Sequence, residues 1–129
     1  MAHPNEDLMR KGYEAFGTGD MDTIRELFAD DIVWHVGGRS HLAGNYKGKD
    51  EVLGFLAKTM ELSGGTFRLE VHDILAGDEH AAGLTTVTAE REGKKLNSNG
   101  VQVVHIRNGK LSESWLHPED QYANDEFWS

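Results

Sequence analysis

The six residues "FRLEVH", Phe67–His72, alternate apolar with polar side chains, and their reading decides the fold. Such alternation marks a strand buried on one face, because successive side chains point to opposite sides of a sheet. Everything after Thr66 keeps that period or supplies turn chemistry. Gly77-Asp78 turns the chain into a Thr-rich strand over His80–Arg91, and Glu92-Gly93 turns it into Leu96–Arg107. Asn108-Gly109 favours a two-residue type I′ hairpin and leads into Lys110–Leu116. The expectation is a four-stranded antiparallel meander.

N-terminal to Thr66 the period is helical. Pro4-Asn5 reads as a helix entrance with Asn5 as the cap, and Leu8, Met9, Tyr13 and Phe16 recur at helical spacing until Gly17-Thr18-Gly19. Asp20 caps a second, short helix whose apolar face is Met21, Ile24, Leu27 and Phe28. Ile32–Val36 reads as a short strand, and Gly37–Gly48 as a Gly-rich segment without a clear period. A third helix follows from Lys49 to Leu62, with Val52, Phe55, Leu56 and Met60 on one stripe, and Ser63-Gly64-Gly65 ends it. Helices first and strands afterwards specify an α+β fold with the helices on one face of the sheet.

The 129 residues suit one domain spanning 1–129, and the net charge of −9 argues against a nucleic-acid or anionic-membrane partner. "MAHPNEDL" lacks a basic n-region and an apolar h-region, so a cytoplasmic location is the expectation. Without Cys there is neither a disulfide framework nor a thiolate ligand. The pairs His35/His41 and His72/His80 do not have metal-ligand spacing, and no P-loop, dinucleotide fingerprint or nucleophile elbow occurs. Neither a metal nor a cofactor is expected.

"GDMDTIRELFADDIVWHV", "LAGNYKGKDEVLGFL" and "NGKLSESW" together resemble the nuclear transport factor two-like superfamily. Within it the match is to the SnoaL-like branch of polyketide cyclases and ketosteroid isomerase relatives. The resemblance implies a curved, mixed but mostly antiparallel sheet wrapped around about three N-terminal helices, a cystatin-like cone with a central pocket. It also implies a homodimer, and Thr85, Thr86 and Val87 are assigned to the outer sheet face. By the same resemblance Tyr13, seven residues before Asp20, stands where the isomerases place an enolate hydrogen-bond donor. Asp120, beside Glu119, stands nearest the general acid and base of the cyclases.

The departures are equally specific. The position of the isomerases' first catalytic Asp is Val36, and Leu96–Arg107 contains no acid, Gln102 being the nearest polar substitute. A steroid-isomerase mechanism in its usual form is therefore disfavoured. Asp120 has two readings, a desolvated proton shuttle or an N-cap of the C-terminal segment. His117 is the partner acid, or a solvated His at the strand end. Tyr13 is an enolate donor, or a core Tyr on a backbone carbonyl. Trp34, His105, Gln102, Trp115 and Tyr46 are the substrate-contacting candidates. Val101, Val103 and His105 share one strand face and Gln102, Val104 and Ile106 the other; both are apolar, so alternation leaves the inner face open. "GGRSHLAG" reads as a loop over the pocket mouth, and Tyr122, Phe127 and Trp128 as rings pinning the terminus. The function read is proton transfer next to the carbonyl of a small apolar compound, the alternative a non-catalytic binding or dimerisation module.

Overall fold

Among the described residues, four helices and six strands follow in the order α1 (Pro4–Thr18), α2 (Met21–Leu27), β1 (Phe28–Val36), β2 (Gly44–Lys47), α3 (Lys49–Leu62), β3 (Arg68–Ala76), β4 (His80–Arg91), β5 (Lys94–Arg107), β6 (Lys110–Pro118) and α4 (Gln121–Phe127). They come from a computed structural model that describes residues 3–129; Met1 and Ala2, the first residues of the stretch read for a targeting signal, lie outside it. The strands form one sheet in the order β2-β1-β6-β5-β4-β3. All neighbours are antiparallel except β1 and β6, which run parallel. The fold is α+β with an open, mixed sheet.

The expected four-stranded antiparallel meander is present as β3–β6. Asn108 and Gly109 have φ of 53° and 72°, the left-handed pair that a type I′ turn requires. Irregularities between Val71 and Asp73, and between His105 and Ile106, add a residue to one strand and increase the local twist. The long central strands therefore curl around the helices. Helix α1 packs on β3 and β4, α3 on β1 and β2, and α4 on β5 and β6. Between them lies a core that includes the fully enclosed Ile32, Val52 and Val104.

Local chemistry explains where the elements differ from the expectation. The cap of α1 is His3, whose Nδ1 accepts the Asn5 N–H at 3.0 Å. Asn5 instead donates from Nδ2 to the Gly77 and Asp78 carbonyls, tying the helix to the β3–β4 turn. Gly19 ends α1 with φ of 74°, a conformation costly for any residue with a Cβ. Asp20 caps α2 as read, accepting from the Thr23 N–H and hydroxyl, and these bonds hold its carboxyl below the usual range. Strand β1 starts at Phe28 rather than Ile32, and part of the Gly-rich segment forms the edge strand β2.

Candidate functional site

A cavity of ≈ 190 Å³ lies between the concave sheet face and the helices. Its wall is mostly apolar, with Phe16, Trp34, Phe55 and Phe67 among its large rings. Gly37, Asn99 and His117 are exposed lining residues, and with Pro118, Gln121 and Asn124 they mark its mouth. Among the described residues that line it there is no Asp, Glu, Lys or Arg. A dry cavity of about 150 Å³ accepts one benzene-sized ligand. This cavity is somewhat larger than that.

Part of the polar lining belongs to a chain of neutral groups that runs from the wall into the sheet. Tyr13, on α1, donates its hydroxyl to Oε1 of Gln102 on β5 at 2.7 Å. Gln102 donates from Nε2 to Oγ of Ser114 on β6 at 2.9 Å. Gln102 is 8% exposed and Ser114 fully buried. Burial pushes the Tyr13 phenol far above its usual range, so it stays protonated and serves as a hydrogen-bonding group rather than a base. Gly83 makes this arrangement possible: it pairs with Gln102 in the β4–β5 ladder, and a Cβ there would sit 2.2 Å from the Tyr13 oxygen. Trp34, on β1, lines the cavity and is packed by Phe28 and Phe55, and its indole N–H is buried without a hydrogen-bond partner among the described residues.

The inner face of β5 carries Gln102, Val104 and Ile106, all buried, and this resolves the ambiguity of alternation. His105 and Trp115 stand on the outer face and do not line the cavity. There Trp115 stacks on His35 at 5.2 Å between ring centroids and meets His105 edge-on at 4.7 Å. Tyr46 packs on Phe55 and donates to the Leu42 carbonyl at 2.7 Å, a wall-supporting role outside the lining. Asp120 is exposed and accepts the Ala123 N–H at 3.1 Å as the N-cap of α4, so of its two readings the geometry matches the cap. Thr85 and Val87 line the cavity, and of that expected outer group only Thr86 is turned outward, bonding Asn99 Oδ1.

A family model for a SnoaL-like domain matches residues 9–114. The chain belongs to the SnoaL-like family. A protein of Mycobacterium tuberculosis (strain ATCC 25618 / H37Rv) is 29% identical to this SnoaL-like chain over 124 residues, 95% of each. The solved structure of Bal32a, from a soil-derived mobile gene cassette, is 37% identical with a TM-score of 0.95, covering 98% of this chain and 97% of that one. A cystatin-like protein of unknown function from Xanthomonas campestris is 31% identical with a TM-score of 0.89, covering 95% and 96%.

Two features of this SnoaL-like domain escaped the sequence reading. Ser114 sits in "SESW" between two larger residues, yet it is the residue of that stretch that points inward, as its β6 neighbour Leu116 does. Small size at an inward strand position was the available signal. The second is an outer-face cluster in which His35 places Nε2 2.6 Å from Glu113 Oε2 and Nδ1 2.8 Å from Asn45 Oδ1. Glu113 also faces His105 at 3.9 Å, and the rings of His80 and His105 meet at 4.6 Å. The bond to Glu113 raises the His35 pKa, burial opposing it more weakly. A His pKa raised on folding contributes stability that is fully present below about 6.5 and lost as pH rises through the folded value. Glu113→Gln is expected to return the His35 titration, followed by NMR, toward the ordinary value, and to remove that pH dependence from the melting temperature.

Proposed function

We propose that this chain binds a small, neutral, largely apolar carbonyl compound in the cavity and moves a proton at the carbon beside the carbonyl, without a cofactor. The observation that carries the reading is the Tyr13–Gln102–Ser114 chain set in an apolar, charge-free wall. A neutral phenol in such a site strengthens its hydrogen bond to an oxygen as negative charge develops there, the logic of an oxyanion hole. Tyr13 is the enolate donor in this reading once its hydroxyl proton turns from Gln102 Oε1 to the ligand oxygen. His117, exposed at the rim and paired with Val101 on the β5–β6 ladder, is the proposed proton acceptor, its ring turning over the mouth from the outer side of β6. Asp120 is assigned to capping, and Asp120→Asn, which preserves a cap, is expected to leave turnover unchanged.

The probe reaction is deuterium exchange into 1-indanone, an enolisable two-ring ketone, read by proton NMR. Exchange above the buffer rate is expected, reduced about 100-fold by Tyr13→Phe and by at least about 100-fold in His117→Ala. The lack of a carboxylate in the lining favours a second reading, a pure binding module. Tight binding of 1-indanone with exchange at the buffer rate would establish that reading instead.

The macromolecular partner in this proposal is a second copy of the chain. In support, the outer sheet face presents a row of aligned residues, Trp115, Val103, Ala82 and Leu75, beside Val101 and Leu84. Leu75 alone is 59% exposed. An apolar belt of this kind is expected to be covered in a dimer. Light scattering at micromolar concentration is expected to give twice the chain mass, and the monomer mass would remove the dimer from the proposal.

A further inference from the structure

Gln102 lies between two hydroxyls, Tyr13 at 2.7 Å and Ser114 at 2.9 Å. A hydroxyl can donate to or accept from a given neighbour, whereas an amide has one donating and one accepting end. Rotating the terminal amide by half a turn therefore preserves both bonds and reverses their direction. In the first arrangement Tyr13 donates inward to Oε1, and its oxygen is left only as an acceptor toward the cavity. In the second, Nε2 donates to Tyr13, Ser114 donates to Oε1, and the phenol proton is free to point at a ligand.

Both arrangements are accessible on physical grounds. The terminal torsion of Gln is broad and roughly two-fold, so neither end is imposed by its rotamer. No charged side chain bonds any of the three groups, so the reversal moves no charge through the protein. Ser114 is fully enclosed and has no fixed acceptor among the described residues, so its proton is free to follow. A Glu at the same position, once ionised, would accept from both hydroxyls and remove the second arrangement.

We infer that Gln102 is a reversible relay that lets one oxygen site in the cavity hold both an acceptor and a donor, and that the ligand is a compound exchanging between them, an enolisable ketone and its enol. This deepens the proposed function and rests on its reading of the cavity as a carbonyl site. In the keto form the ligand oxygen accepts from Tyr13, and in the enol form its O–H donates to Tyr13. Enolisation breaks the ligand's C–H bond, that proton leaving to the acceptor at the mouth, and makes its O–H bond with a proton returned from that acceptor through water; the relay reverses to match it. Gln102 acts through Tyr13 and is a positioning residue.

The test uses the intact protein and two ligands of one skeleton, 1-indanone as the acceptor and 4-indanol, a phenol, as the enol-like donor. Proton NMR of the Gln102 side-chain amide is expected to show contacts to the Tyr13 ring in the indanone complex and to the Ser114 methylene in the indanol complex. The same contacts in both complexes would overturn the relay while leaving the cavity reading intact. Failure of both ligands to bind would overturn the two together. Gln102→Glu supplies a second readout: indanone affinity is expected to fall at least 10-fold as pH rises through the titration of the introduced carboxyl, while indanol affinity holds. Parallel loss of both ligands would also overturn the relay.

Discussion

Gly83→Ala is expected to disable the cavity although it adds only one methyl group. The added Cβ would lie 2.2 Å from the Tyr13 oxygen, a distance that no relaxed contact adopts, and 3.0 Å from Cζ, which is tight. The phenol is rigid and enclosed on the inner face of the sheet, so relief requires either rotating Tyr13 out of its bond to Gln102 or moving α1 off β4. Overpacking of this kind costs about 1–3 kcal/mol. The backbone at Gly83 does not need a left-handed conformation, so the loss arises from the side-chain clash alone. Urea unfolding is expected to show a lower midpoint with an unchanged slope, and binding of 1-indanone is expected to fall as far as in Tyr13→Phe. The double variant separates the causes. Removing the phenol oxygen leaves the ring carbons at 3.0 and 3.2 Å, so Tyr13→Phe is expected to recover part of the stability lost in Gly83→Ala. Strict additivity of the two losses would show that Gly83 does not act on Tyr13.

The meander and the helices were legible because each carries a short-range signal. "FRLEVH" fixes the inward face of β3 by its own period, and Asn108-Gly109 fixes a hairpin by the backbone it permits. The parallel pairing of β1 with β6 carries no such signal. It joins residues about eighty positions apart, His35 with Trp115 for example, and only the closing of the sheet brings them together. The inner face of β5 was undecided for a related reason. Its two faces are both apolar, and what distinguishes them is the helical layer covering one of them. That layer gives Gln102 its partner Tyr13 and leaves His105 in the outer cluster.

The candidate site divided in the same way. Tyr13, Trp34, Gln102 and His117 line the cavity, whereas Asp120, His105, Trp115 and Tyr46 do not. Asp120 carried both of its readings from the start, because a carboxylate after a proline at the end of a strand suits a proton shuttle and a helix cap alike. Three-dimensional placement separates them: its carboxylate is turned to the Ala123 N–H. The rings of the terminus divided as well. Phe127 and Trp128 are 3% and 4% exposed, while Tyr122 is 89% exposed and pins nothing. Positions 122 and 127 are not on one helical face, since five residues at 3.6 per turn separate them by more than a third of a turn.

Trp128→Ala is accordingly expected to be the most destabilising change in the C-terminal segment. Trp128 packs against Phe67 at 6.2 Å and edge-on to Phe127 at 4.8 Å, so it joins α4 to the start of β3. Truncating a buried Trp costs about 3–5 kcal/mol, a large part of the roughly 5–15 kcal/mol by which a domain of this kind is stable. The backbone around it is held separately, by Arg91 Nη1 to the Phe127 and Ser129 carbonyls and Lys94 Nζ to the Glu126 carbonyl. These bonds keep α4 in place but cannot refill the wall, because Trp128 also lines the cavity. Thermal melting of Trp128→Ala is expected to fall steeply, with 1-indanone affinity lost alongside it. Tyr122→Ala, on the same helix, is expected to change stability by less than about 0.5 kcal/mol. Equal effects of the two substitutions would mean that helix content, rather than the buried ring, closes the fold. An unchanged indanone affinity in a folded Trp128→Ala would mean that the Trp128 wall of the cavity takes no part in binding.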